Sequence, residues 1–122
     1  MKIKIKLGDR EMELETPRSL GICMDFMACW GEDQGRTKLG RLCAASIGAC
    51  APRGGGLPSY DITQADPYSY GFGIQEKLLE SGMPPSIIYD VGHRLLVAMA
   101  ERIPTSEEVE NTVNFTGEGE SG

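Results

Sequence analysis

The sequence predicts an α+β protein that is mostly α: an N-terminal β-hairpin packed on a four-helix body, ending in an acidic flexible tail. Three observations carry this. Two short runs at the start alternate strictly between charged and apolar residues. Four later segments repeat apolar residues at helical spacing, most of them bounded by a capping residue, Pro or Gly. Beyond residue 104 the Lys and Arg residues stop and Glu and Gly take over. The expected organisation is one domain over 1–110 and a flexible tail over 111–122.

The hairpin is expected over 2–15. A period of two makes one sheet face apolar and the other charged. Gly8-Asp9 suits a two-residue turn, because Gly accepts positive φ without a Cβ clash. That turn sets Lys6 against Glu11, Lys4 against Glu13 and Lys2 against Glu15 on one face, and Ile5 against Met12 and Ile3 against Leu14 on the other. Each charged cross-strand pair is of opposite sign and worth roughly 0.2–1 kcal/mol. A two-stranded hairpin is marginal alone in water, so its apolar face needs cover from the helices.

The first helix is expected over about 17–30, with Thr16 as N-cap, Pro17 at the first helical position and Gly31 as C-cap. Residues 20, 23, 24, 27 and 30 form one apolar stripe and Ile22, Phe26 and Cys29 a second. A helix apolar on most of its circumference reads as the central one, packed on two sides, with Asp25 on the exposed strip. A second helix is expected over about 34–50, capped by Asp33 and stopped by Pro52, with Leu39, Leu42, Cys43, Ile47 and Cys50 along its stripe. Its Ala, Gly and Ser content suits close packing, although Gly40 and Gly48 each weaken a helix by about 1 kcal/mol relative to Ala.

Residues 52–66 form the longest irregular stretch, a length usual for a binding segment or a mobile loop. Within it, residues 59–62 fit either a short edge strand or a segment lying on the core. The third helix is expected over 67–81 with Asp66 as N-cap, Pro67 leading and Gly82 closing it; Tyr70, Ile74 and Leu78 share its stripe, with Tyr68 and Phe72 more peripheral. The fourth is expected over 85–103, led by Pro85 and stopped by Pro104. Ile88, Val91, Leu95 and Met99 form its inner face, and Ile87, Leu96 and Ile103 widen it. The short link between the last two reads as an αα-hairpin.

Composition narrows the function classes. The chain has 122 residues and a net charge of −6, of which five glutamates in 105–122 account for most. The body has no dense basic patch, which argues against nucleic acid. No apolar run approaches a membrane span, and no basic-then-apolar leader opens the sequence, so a cytoplasmic protein is expected. The four cysteines, Cys23, Cys29, Cys43 and Cys50, lack the two-to-four-residue spacing of zinc knuckles and lie on apolar helix stripes. Burial as small hydrophobes is the favoured reading, ahead of a disulfide or a metal site. His93, the single histidine, is placed at the edge of a buried face rather than beside an activated thiol. Arg53-Gly54-Gly55-Gly56 follows a helix and lacks the Lys-Ser/Thr of a phosphate loop. No catalytic residue, metal ligand or cofactor is therefore expected. Tyr60, Tyr68, Tyr70 and Phe72 bracket the loop and are the candidate partner-binding residues, since Tyr buries area while keeping a polar tip. The competing reading is that some of them anchor the loop to the core.

The layout resembles the tail assembly chaperones of long-tailed bacteriophages. The resemblance rests on Lys2-Ile3-Lys4-Ile5-Lys6-Leu7-Gly8-Asp9-Arg10-Glu11-Met12-Glu13-Leu14 followed at once by a Pro-led helix, on an all-helical middle, and on Ala100-Glu101-Arg102-Ile103-Pro104-Thr105-Ser106-Glu107-Glu108-Val109-Glu110 with Asn114-Phe115 and a Gly/Glu-rich end. It implies a non-enzymatic protein that binds the tape-measure protein during tail assembly in the host cytoplasm and shields its apolar helices. The alternatives are a structural virion component, such as a head–tail connector or tail completion protein, and a small inhibitor of a host protein. The partner is expected to be a protein, not nucleic acid or a membrane. The hairpin is expected to carry orientation or self-association, and the helical body and loop the main partner site.

Overall fold

The computed structural model describes residues 2–17, 19–31, 35–61 and 63–103. Its elements run β1 (Lys2–Leu7), β2 (Arg10–Glu15), α1 (Leu20–Trp30), α2 (Gly35–Cys50), α3 (Pro67–Glu80) and α4 (Pro85–Arg102). This is the expected hairpin followed by four helices. The N-cap assigned to Asp33, the stop at Pro104 and the acidic tail lie outside the described residues, as does Ile62.

β1 and β2 pair antiparallel in the expected register, from Leu7 opposite Arg10 to Lys2 opposite Glu15. Gly8 takes φ +64° in the turn, where a side chain would be strained. Ile5, Met12 and Leu14 are buried, while the lysines and glutamates of the other face are exposed. The ion pair on that face runs diagonally, Lys2 Nζ to Glu13 Oε1 at 3.7 Å, rather than straight across.

α1 departs from expectation in three ways. It starts at Leu20 instead of about 17, capped by Ser19, whose Oγ accepts from the Ile22 N–H at 3.3 Å. Thr16 follows directly on the end of β2 at Glu15, so the chain is still leaving the hairpin where the cap was expected. Thr16 is buried there, and its Oγ1 has no hydrogen-bond partner among the described residues. The helix is not central either. Cys23 and Phe26 are buried, but Leu20 is 47 % exposed and Met24 54 %. Asp25 does not sit on a solvent strip; it is half-buried and accepts a hydrogen bond from the Tyr60 hydroxyl.

The central helix is α2. It packs mainly on α3 and α4, and it also meets α1 and β2. Small residues make this possible. A β-carbon at Gly71 of α3 would fall on the Arg41 carbonyl oxygen, and one at Gly92 of α4 would lie 2.5 Å from the Cys43 carbonyl oxygen. The α2 backbone thus comes into contact with both neighbours. Gly40 and Gly48, which weaken α2 as an isolated helix, are seats for larger groups. Tyr89 lies over Gly40, and Tyr70 and Ile74 lie over Gly48. Tyr89 also donates to the Arg36 carbonyl at 2.6 Å. Packing here outweighs helix propensity.

α3 begins as expected. The Asp66 carboxylate accepts from the Ser69 N–H at 2.9 Å and from the Ser69 hydroxyl at 3.1 Å. It ends in a Schellman turn, with Gly82 at φ +91°, Gly82 N–H bonded to Leu79 O and Met83 N–H to Leu78 O. α3 and α4 do not form a packed αα-hairpin. They touch little, because the glycines bring each of them onto α2 instead. On α4, Ile88, Val91, Leu95, Leu96 and Met99 are buried as expected, but Ile87 is 42 % exposed and does not widen the inner face.

Candidate functional site

The loop between α2 and α3 folds back on the chain. No strand forms at 59–61. Leu57 and Tyr60 are buried, so the core-lying alternative for this segment holds. One end is fixed to the hairpin: Arg10 Nη1 donates to the Gly54 carbonyl at 2.9 Å. The other end closes with Asp61, whose carboxylate accepts from the Thr63 N–H and hydroxyl. Those two bonds hold the Asp61 carboxyl below its ordinary range.

The four aromatic residues singled out by the sequence fall into two groups. Tyr60 packs edge-on against Phe26 with centroids 5.1 Å apart and against Tyr70 at 5.0 Å. Its hydroxyl donates to Asp25, and burial, then the Asp25 carboxylate, push its pKa far up. Tyr68 donates to the Cys29 carbonyl at 2.9 Å, and Tyr70 to the Pro58 carbonyl at 2.5 Å. Burial raises the Tyr70 hydroxyl as well. These three tyrosines bind the chain itself, joining loop, α1 and α3. Phe72 differs: it is 47 % exposed, with the Arg41 guanidinium 5.0 Å from its ring.

Asp25 is the contact the sequence reading missed. The signal was present, since one carboxylate inside an apolar run needs either solvent or a donor.

Cys23, Cys43 and Cys50 are free thiols and buried, and Cys29 is half-buried. Burial pushes the Cys43 thiol up to about 11 and Cys50 up to about 12. Cys23 is also raised by burial, partly offset by the Arg102 guanidinium, and its thiol lies 3.8 Å from the Pro17 carbonyl. Such thiols are protonated at neutral pH and poor nucleophiles. His93 is exposed, its ring edge-on to Trp30 at 5.6 Å. Among the described residues, no three His, Cys, Asp or Glu side chains are grouped to hold a metal ion. No helix there is long and apolar enough to cross a membrane.

Among the described residues, further surface features are open to a partner besides Phe72. One is the outer face of α1, where Leu20, Met24 and Ala28 lie one turn apart and exposed. Another is a groove of about 300 Å³ between β1 and the α3–α4 turn, reaching Ile87. A smaller hollow of about 150 Å³ lies between α1, α2 and the loop, lined by Ile22, Gly48 and Tyr60 among others. Comparison with family models, curated proteins and solved structures finds no match to this chain.

Proposed function

We propose that the chain is a non-enzymatic binding protein that takes an apolar helix of another protein, in the manner of a phage tail assembly chaperone acting on the tape-measure protein in the host cytoplasm. The observation that supports this is the Leu20–Met24–Ala28 strip. It continues the apolar stripe of α1 past the part that Cys23 and Phe26 bury, so it has the chemistry of a core face that no element among the described residues covers. An amphipathic helix laid on such a strip buries residues spaced three and four apart, which is the ordinary helix-to-helix mode of recognition. The overall layout of hairpin, capped helices and acidic end supports the same reading.

Co-expression with a phage tape-measure protein tests this. The partner is expected to stay soluble with the native chain and to aggregate with Leu20→Ser/Met24→Ser, whose own stability should shift by no more than about 0.5 kcal/mol because both side chains are exposed. Equal rescue by the double variant would rule out the α1 strip as the site.

A further inference from the structure

The geometry points to a second binding site, separate from the α1 strip: the free edge of β1 takes an extended segment of alternating acidic and apolar residues as a third strand.

The edge is built to receive one. Across a two-residue turn the flanking pair, Leu7 and Arg10, is hydrogen-bonded, and bonding alternates from there. Ile3, Ile5 and Leu7 therefore bond to β2, while the N–H and C=O groups of Lys2, Lys4 and Lys6 point away from it. An added strand would lie about 4.8 Å outside β1. The groove of about 300 Å³ occupies that side, with Lys4, Ile5 and Lys6 along one wall and Met83, Ile87 and Val91 on the other. The helical body thus already reaches under the third-strand position. Side chains of the added strand on the Ile5 side would meet Ile87, which is otherwise 42 % exposed. Those on the opposite side would lie beside the lysines.

Charge selects the occupant. Lys2 is paired with Glu13, whereas Lys4 and Lys6 have no ion pair among the described residues. Lys4 and Lys6 face Glu13 and Glu11 across the hairpin on one side; acidic residues on the added strand would set carboxylates on their open side as well, where basic ones would be repelled. A second copy of this chain fits poorly. Its β1 would bring lysine against lysine. Its β2 has Met12 and Leu14 already buried at 5 % and 0 % exposure under its own helices, leaving nothing for the groove. The occupant is a segment without a body of its own, exposing one apolar and one acidic side.

The probe is a fluorescein-labelled peptide, acetyl-Glu-Val-Glu-Val-Glu-Val-Glu, titrated against the full chain by anisotropy at low salt, with the Lys-for-Glu peptide as control. The acidic peptide is expected to bind at least 10-fold more tightly than the control. Lys4→Pro removes an outward N–H that β2 does not use, and it should weaken binding at least 10-fold with the far-ultraviolet spectrum kept. Ile87→Asp, which leaves the hairpin untouched, should do the same. Leu20→Ser/Met24→Ser should bind the peptide normally. Equal affinity for both peptides, or binding insensitive to Ile87→Asp, overturns the proposal. So does a dimer in sedimentation that Lys4→Pro dissociates, since the edge would then belong to a second copy.

Discussion

Two of the 11 residues of α1 are buried, against nine of the 16 in α2. Their compositions suggest the reverse. α1 carries Leu20, Ile22, Met24, Phe26, Met27 and Trp30 with one charge, whereas α2 carries three basic residues and three glycines. The difference shows that apolar content does not by itself decide which helix lies at the centre. Closeness of approach does, because dispersion and exclusion of water both need surfaces in contact. α2 presents its backbone at Arg41 and Cys43 to Gly71 and Gly92 of its neighbours, and seats Tyr89 over Gly40 and Tyr70 and Ile74 over Gly48. α1 is too bulky to be approached from every side and is left holding the body by a few large groups.

If α1 depends on few anchors, removing the largest should be costly. Phe26 is fully buried and carries the Tyr60 ring on its edge. Phe26→Ala is expected to lose about 3–5 kcal/mol in urea unfolding. A loss below about 1.5 kcal/mol would mean that α1 rests on a wider surface than these contacts show.

The α2 seam should fail in the opposite sense, by addition. Gly71→Ala puts a methyl group onto the Arg41 backbone, which cannot rotate away, so about 3 kcal/mol of destabilisation is expected by thermal unfolding. Gly73 makes the control. It is exposed on the same helix, and a β-carbon there would meet nothing within 4 Å. Gly73→Ala should stabilise α3 by up to about 1 kcal/mol through helix propensity.

Much of the architecture was legible in the sequence, and the misses have particular causes. The hairpin register followed from period two and one turn, because a slip by one residue would reverse every side chain. Asp66-Pro67 and Gly82 marked α3 correctly because cap and stop signals act locally. Thr16-Pro17 looked the same as Asp66-Pro67 but follows directly on β2, where Thr16 is buried, leaving the cap to Ser19. Which apolar stripe of α1 stays uncovered depends on how α2 is packed, and that is a long-range fact. The aromatic set was found by composition, yet Tyr60, Tyr68 and Tyr70 turned inward because the loop between α2 and α3 returns to α1 and α3. The groove beside β1 had no local signature; it arises where the α3–α4 turn comes alongside the hairpin.

Between the two helices lies the bond from Tyr60 to Asp25, which links the loop to α1. Tyr60→Phe keeps the ring contacts with Phe26 and Tyr70 and deletes the hydroxyl, leaving a half-buried carboxylate without this donor. A loss of about 1–2 kcal/mol is expected. The double variant Tyr60→Phe/Asp25→Asn should recover part of it, since the stranded charge is then gone. No recovery would place the cost in the loop and not in the charge.

The smallest expected effect separates α1 from α3 by their caps. Ser19 caps α1 with a neutral oxygen, and Asp66 caps α3 with a carboxylate. The Ser69 N–H and hydroxyl favour the ionised form of Asp66, so its folded pKa lies below the ordinary 3.8. In acid the unfolded chain therefore takes up the proton first. The contribution of this group is complete above about pH 4 and is lost as pH falls through the folded pKa. Asp66→Asn keeps an acceptor but not the charge near the helix N-terminus, and it is expected to cost about 0.3–1 kcal/mol at neutral pH. That gap should narrow in thermal unfolding followed from pH 7 to pH 3, whereas the loss caused by Ser19→Ala should stay constant over the same range. A gap for Asp66→Asn that stays as wide at pH 3 would mean that the amide fits the cap badly, and that charge at the start of α3 contributes nothing.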